Sequence, residues 1–255
     1  MPDSLNAIQQ AANAMRGARQ VMVFAGAGLS AESGLPTFRD QGGLWEGHNV
    51  EDVATPAGFQ RDPVLVWKFY AQRQERQDQV EPNLGHYALA EMESIFPRFL
   101  LVTQNVDNLS ERAGSSEIIK IHGDLSELWC TACQRQWTVR EPVHSESLQS
   151  LSDLPRCSSC GGLARPGIVW FGEMLPSGAM EMSLEFIGEA DALISVGTSA
   201  MVSGGYGFAE AVKSAGGVFI EVNPAQTYVS HLANIKLSQP SATALPELVR
   251  ILKQS

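Results

Sequence analysis

Val21-Met22-Val23-Phe24-Ala25, followed at once by Gly26-Ala27-Gly28-Leu29-Ser30-Ala31, is the stretch that decides the fold. Five apolar residues without alternation suit a strand buried on both faces, as in a parallel sheet. The G-x-G-x-x-A pattern after it permits a tight turn and lets backbone N–H groups approach a pyrophosphate. A plain tight turn would use the same residues. Working outward, similar apolar runs recur at Phe99–Thr103, Ala192–Val196 and Val218–Val222. Helix-like stretches separate them near Leu84–Glu93 and Tyr206–Ala215. Upstream, Ile8, Ala11, Ala12 and Met15 repeat at helical spacing, which predicts an amphipathic opening helix. This alternation predicts an α/β fold, a parallel sheet with helices on both faces. Two segments break the rhythm: residues 41–80 are polar, Gln-rich and helix-prone, and residues 124–163 hold the cysteines and several turn residues. Both read as insertions that together make a smaller lobe.

The chain has 255 residues, of which 44% are apolar and 18% charged, enough to bury a sizeable core in one or two domains. Its net charge of −10 argues against a duplex nucleic-acid binder and leaves cationic peptides as partners. No apolar run approaches the roughly 18 residues that span a bilayer. The first twenty residues carry no apolar signal core, so a cytoplasmic protein is expected.

The four cysteines fall as Cys130-x-x-Cys133 and Cys157-x-x-Cys160, with 23 residues between the pairs. Two such knuckles suit one structural Zn²⁺ held by four thiolates, which leaves the metal no open position for catalysis. Redox dithiols are the competing reading.

Gly34 and Pro36 stop the helix after the glycine turn within about one turn. Thr37-Phe38-Arg39-Asp40-Gln41-Gly42-Gly43-Leu44-Trp45 then reads as a mobile loop that folds over a dinucleotide. Gly197-Thr198-Ser199 and Asn223-Pro224 also follow apolar strands. Ligands bind outside the carboxyl ends of open parallel sheets, so these clusters converge on one crevice, although each alone could be a cap or turn. Thr103-Gln104-Asn105-Val106-Asp107 ends another strand, and Ile121-His122-Gly123 follows one short element later. A lone histidine is more often structural, but beside a dinucleotide crevice His122 is a candidate general base.

Together, Gly26-Ala27-Gly28-x-Ser30, Gly34-Leu35-Pro36-Thr37-Phe38-Arg39, Thr103-Gln104-Asn105-Val106-Asp107, His122-Gly123, the paired knuckles, Gly197-Thr198-Ser199 and Val222-Asn223-Pro224 resemble the sirtuins, in sirtuin order and over nearly the whole chain. The resemblance implies a Rossmann-like NAD-binding domain from 1–40, 81–123 and 164–255. It also implies a cofactor loop and helical module at 41–80 and a zinc module at 124–163. The activity implied is NAD-dependent protein-lysine deacylation: the acyl oxygen attacks C1′ of the nicotinamide ribose, and the products are nicotinamide, 2′-O-acyl-ADP-ribose and free lysine. His122 would be the base and Asn105 would order ribose and water. Asp107 and Val106 would hold the nicotinamide carboxamide, and Gln104 would contact the ribose. Ser30, Arg39 and the amides of Gly26, Ala27, Gly28 and Ala31 would hold phosphates, with Thr37 and Trp45 in the covering loop. Phe38 would exclude water. Gly197, Thr198, Ser199, Asn223, Pro224 and Ser241 would face the adenosine half. Val169-Trp170-Phe171 would pair with an acyl-lysine peptide as an added strand.

Tyr70 and Arg73, three apart on a helix face, resemble the pair that lines the acyl pocket of desuccinylase-type sirtuins. A guanidinium fork and a phenol match the terminal carboxylate of a succinyl or malonyl group. A solvated helix face is the competing reading. Ser110 stands where the family often has histidine, Ala200–Tyr206 replaces a proline-containing run, and Gln239-Pro240-Ser241 replaces a Gly-x-small run. A mono-ADP-ribosyltransferase and a non-enzymatic NAD or zinc binding sensor remain the rivals. A monomer is expected.

Overall fold

The computed structural model describes residues 2–36, 44–45, 47–139 and 141–254, excluding the side chains of 2–4 and 44–45. Its strands are β1 (Gln20–Ala25), β2 (Leu44–Trp45), β3 (His48–Asn49), β4 (Arg98–Thr103), β5 (Ile118–Lys120), β6 (Gly123–Cys130), β7 (Gln136–Thr138), β8 (Ala164–Ile168), β9 (Ala192–Val196), β10 (Val218–Val222) and β11 (Ile235–Leu237). The helices are α1 (Pro2–Ala14), α2 (Gly28–Ala31), α3 (Val50–Val53), α4 (Pro56–Arg61), α5 (Pro63–Asp78), α6 (Leu84–Met92), α7 (Leu109–Arg112), α8 (Ser177–Gly188), α9 (Gly205–Ser214) and α10 (Ser241–Leu252).

The main sheet runs β11-β10-β9-β1-β4-β5, and every pairing in it is parallel. Continuous apolar strands are buried on both sides, as the sequence requires. Val21, Val23, Leu101, Ile194 and Ile220 pack against α1, α6 and α10. Met22, Phe24, Val102, Leu193 and Phe219 face the opposite side, against α8 and α9. The chain leaves β1 toward β4 on one side and reaches β9 and β10 on the other. The β1/β9 boundary is therefore the topological switch point, where a crevice forms outside the strand ends.

The smaller lobe has its own core. Val66, Trp67, Phe69 and Tyr70 of α5 pack with Leu125 and Leu128 of β6 and with Ala164 and Ile168 of β8. Trp67 fixes this contact by donating its indole N–H to the Ala164 carbonyl at 2.9 Å. The helical and cysteine-bearing segments thus share one apolar core. The antiparallel sheet β7-β6-β8 takes its third strand from Ala164–Ile168, so a module boundary at 163 falls immediately before an element it needs. That strand lies beyond the second knuckle and carries no cysteine to mark it.

Candidate active site

A cleft of about 970 Å³ opens at the carboxyl ends of β1, β4, β9 and β10. One side is lined by Ala27, Gly28, Ser30, Ala31, Gln104, Asn105, Val106, Asp107 and His122; Tyr70, Arg73, Val169, Trp170 and Phe171 close the other. Gly197, Thr198, Ser199, Asn223, Pro224 and Ser241 line the same space. Distant sequence segments converge here because parallel strands deliver their ends to one edge. Thr37, Phe38 and Arg39 lie outside the described residues, as does the side chain of Trp45.

The glycine turn does a different job from the one its spacing suggests. Gly28 donates its N–H to the Gly197 carbonyl at 2.7 Å, and Gly26 donates to Val196 at 3.0 Å. A Cβ on Gly28 would lie 2.6 Å from the Gly197 oxygen, and one on Gly26 would lie 2.7 Å from Thr198 Cβ. These glycines let the β1 and β9 loops touch. The N–H groups of Ser30 and Ala31 are bonded to the Ala27 carbonyl, so of the amides expected to hold phosphates those of Gly26, Gly28 and Ala31 are engaged within the protein. Turn closure consumes them.

Ser30 is the hub of a buried polar network, and it is only 2% exposed. Its Oγ accepts from Asn105 Nδ2 at 3.1 Å and donates to Asp107 Oδ2 at 3.0 Å. His86 Nε2 lies 3.3 Å from the same oxygen. Because His86 Nδ1 accepts the Asn83 N–H, its Nε2 carries the ring proton and donates to Ser30. Burial lowers the His86 pKa to about 4, so the ring is neutral at pH 7. Burial also raises the Asp107 carboxyl, against the opposing pull of the Leu109 N–H, the Ser30 hydroxyl and the Lys120 charge.

His122 is oriented by its own backbone surroundings. Its Nδ1 lies 2.9 Å from the Gln104 carbonyl, an acceptor, so Nδ1 carries the proton. Nε2 is then the basic nitrogen, 2.5 Å from Ser203 Oγ. Burial lowers the pKa of His122, and the bond to Gln104 opposes that shift. The ring lines the cleft, neutral at pH 7.

The Gln104 side chain is held by Thr198 Oγ1 at 2.7 Å and donates to the Val202 carbonyl at 3.2 Å. Asn223 donates to the Thr198 carbonyl at 3.1 Å, which joins the β10 loop to the β9 loop. Ser241 Oγ donates to Glu32 at 2.7 Å, and the Ala242 N–H donates to the same carboxylate oxygen. These side chains brace the cleft as well as line it.

Tyr70 and Arg73 are 3% and 8% exposed, so they are not a solvated helix face. Trp170 Nε1 donates to Tyr70 Oη at 3.1 Å, so the phenol oxygen accepts on the wall of the pocket. Burial pushes the Tyr70 phenol far above its ordinary range, and the Arg73 charge opposes this. Arg73 donates to the Phe69 carbonyl at 2.7 Å and lies 3.1 Å from that ring's centre. Trp170 is buried, clamped between this pocket and Arg165, whose guanidinium lies 3.4 Å from its ring centre. The N–H groups of Val169, Trp170 and Phe171 go to His122 O, Glu173 Oε2 and Ala54 O. All three amides are thus engaged, and the Trp170 carbonyl accepts the Glu173 N–H at 3.0 Å.

The four sulfurs lie within 4.8 Å of one another. The close contacts run between the pairs, Cys130 to Cys160 at 3.5 Å and Cys133 to Cys157 at 3.7 Å. Thiolates 2.3 Å from a tetrahedral Zn²⁺ stand about 3.8 Å apart, so this donor set fits zinc. The Cys130 sulfur also accepts the N–H groups of Ala132 and Cys133 at 3.4 Å each, as a charged thiolate ligand would.

The Sir2 family model matches residues 26–204. The chain belongs to the Sir2 family. It is 41% identical to NAD-dependent protein deacylase 1 of Archaeoglobus fulgidus over 237 residues, 93% of this chain and 94% of that protein. A solved complex of a Sir2 homologue with NAD superposes with a TM-score of 0.87 at 39% identity, covering 96% of this chain and 94% of that one. Sir2Af2 bound to a myristoylated histone peptide superposes at 0.76 with 30% identity, covering 98% and 97%. Six parallel strands with a cysteine-bearing lobe are thus the Sir2 fold carried by this sequence.

Two residues, His86 behind this Sir2 cleft and Ser203 on its wall, escaped the motif reading. His86 had a signal, because Asn83-x-x-His86 is the spacing of a reciprocal helix cap, which the structure shows at the start of α6. Ser203 had none, since it meets His122 across 81 positions of sequence.

Proposed function

We propose that this chain is an NAD-dependent protein-lysine deacylase that acts on acetyl-lysine and on succinyl- or malonyl-lysine. The observation that carries the reading is His122: a neutral imidazole with its proton committed to Gln104 and its basic nitrogen in the same cleft as Tyr70 and Arg73. NAD supplies an electrophilic ribose carbon from which nicotinamide leaves when the acyl oxygen attacks. The roles below belong to this chain's own residues.

His122 Nε2 takes the proton of a ribose hydroxyl, so the acyl group can pass to the sugar. Asp107 and Val106 hold the nicotinamide carboxamide, with Asp107 fixed by the Leu109 N–H and Ser30. Asn105, held by Ser30, orders the ribose and the hydrolytic water. Ala27, Ser199, Pro224 and their braced neighbours receive the rest of the dinucleotide, and Val169 and Phe171 flank the acyl-lysine. Among the described residues no helix is long and apolar enough to cross a membrane. A net charge of −10 favours lysine-bearing peptides over nucleic acids, and four free thiol ligands suit the reducing cytoplasm. A monomer is the proposed state. The sheet domain would hold NAD while the smaller lobe closes over the acyl chain.

Arg73 and the Tyr70 phenol supply donors for a terminal carboxylate, which acetyl lacks. The test is kcat/KM with NAD and matched acetyl-, succinyl- and malonyl-lysine peptides, with products identified by mass spectrometry. Arg73→Met is expected to lower desuccinylation by about tenfold to a hundredfold, the scale of a charged hydrogen-bond pair, and largely spare deacetylation. Equal losses on both substrates would refute the pocket assignment. ADP-ribose on a protein side chain, in place of acyl-ADP-ribose, would support the transferase instead.

A further inference from the structure

The lone pair that makes His122 a base is already engaged. A neutral histidine has one acceptor nitrogen. With Nδ1–H given to the Gln104 carbonyl, that acceptor is Nε2, and Ser203 Oγ sits on it at 2.5 Å. One lone pair cannot serve two donors, so a sugar hydroxyl can be deprotonated only after the serine hydroxyl leaves.

We propose that Ser203 is a positioning residue for this proton transfer. Its hydroxyl stands on the base in place of the ribose hydroxyl and is exchanged for the sugar when NAD binds. This rests on the deacylase reading and names the residue that competes with the co-substrate for its base.

The surrounding loop suits such an exchange. Ala200 and Ser203 have φ of 56° and 60°, values that side chains seldom adopt. Met201 and Val202 stand 73% and 51% exposed, so moving them breaks little packing. The ends of the segment are fixed. Thr198 is bonded to Gln104, and a Cβ on Gly205 would lie 2.7 Å from the Phe24 ring. Between those anchors, the Val202 carbonyl on Gln104 Nε2 and Ser203 on His122 tie the loop to the catalytic strand ends. The same segment departs from the proline-containing run of the sirtuin pattern, with a small hydroxyl residue and two glycines instead.

Two variants separate the hydroxyl from the backbone: Ser203→Ala removes the hydroxyl and keeps a Cβ at positive φ, and Ser203→Gly also relieves the backbone. Both are expected to tighten NAD binding, measured by calorimetry without peptide, by about threefold to tenfold, the range of one neutral hydrogen bond. KM for NAD should fall in step while kcat changes less than twofold. The ¹⁵N signal of His122 Nε2 should move in the NAD-free Ser203→Ala protein, which a merely structural loop residue would not cause. Unchanged NAD affinity in both variants overturns the proposal. So does a tenfold fall in kcat, which would put Ser203 in the chemistry itself. Calorimetry and the Nε2 signal need no turnover, so they decide this point even if the wild type fails to deacylate any peptide.

Discussion

Two surfaces of the cleft are built on opposite principles. Around Ser30, the buried side chains of Ser30, His86 and Asn105 and the half-buried Asp107 satisfy one another, and each sits on or beside a strand end or helix start. Across from it, the loop from Ala200 to Gly204 holds two non-glycine residues at positive φ and leaves two apolar side chains in solvent. Buried polar groups must be paired or they cost stability, so the first surface is rigid by necessity. Exposed loops carry no such penalty and can rearrange. Asn105 and Asp107 stand on the network, and the hydroxyl that covers His122 stands on the loop. His122 joins the two.

Substitutions graded by expected effect test that contrast. The largest falls at the junction: His122→Tyr is expected to lower NAD-dependent deacylation by about a hundredfold or more, the scale of general-base catalysis, while NAD still binds in calorimetry. In the wild type, burial holds His122 below its ordinary 6.5, so the acidic limb of the kcat/KM profile should lie below that pH.

Ser30→Ala should come next. It leaves Asn105, Asp107 and His86 each short of a partner and is expected to cost about 1–3 kcal/mol of stability by denaturant unfolding. Its kcat/KM should fall as well, because Asn105 and Asp107 lose their shared anchor. A neutral result would show that the network is not what holds them.

The pH dependence of stability gives a smaller and more specific signal. The His86 pKa is about 4 when folded and near 6.5 when unfolded, so below 6.5 the unfolded chain gains the proton first. Its contribution is complete above pH 6.5 and is lost as pH falls from there toward 4, by at most about 3 kcal/mol. His86→Gln should flatten that part of the stability-against-pH curve.

The smallest effect belongs to the loop. Met201→Ser, at a side chain 73% exposed, should change unfolding free energy by no more than about 0.5 kcal/mol. A larger loss would mean that the loop is packed in solution and would erase the contrast.

The legible parts of the fold were those with a local cause. Continuous apolar runs marked β1, β4, β9 and β10 because a strand buried on both faces has no room for polar side chains. The cysteine spacing marked a metal knuckle because two thiolates need that short loop to reach one ion. Asn105, Asp107 and His122 were legible as polar residues at strand ends. The strand β8 was missed because its pairing partner is remote, and the spacing of the glycine turn could not show that the amides of Gly26 and Gly28 bond to the β9 end.

By itself the chain's order of residues determined a parallel α/β sheet, a four-cysteine cluster suited to zinc and which polar residues stand at the strand ends. These follow from periodicity and residue chemistry within a few positions. Which proton His122 carries, what Ser30 holds together and what covers the base were settled only when the chain folded. Hydrogen bonds of that kind join groups tens of positions apart, and their partners are chosen by the crossing of strands, not by neighbours along the chain.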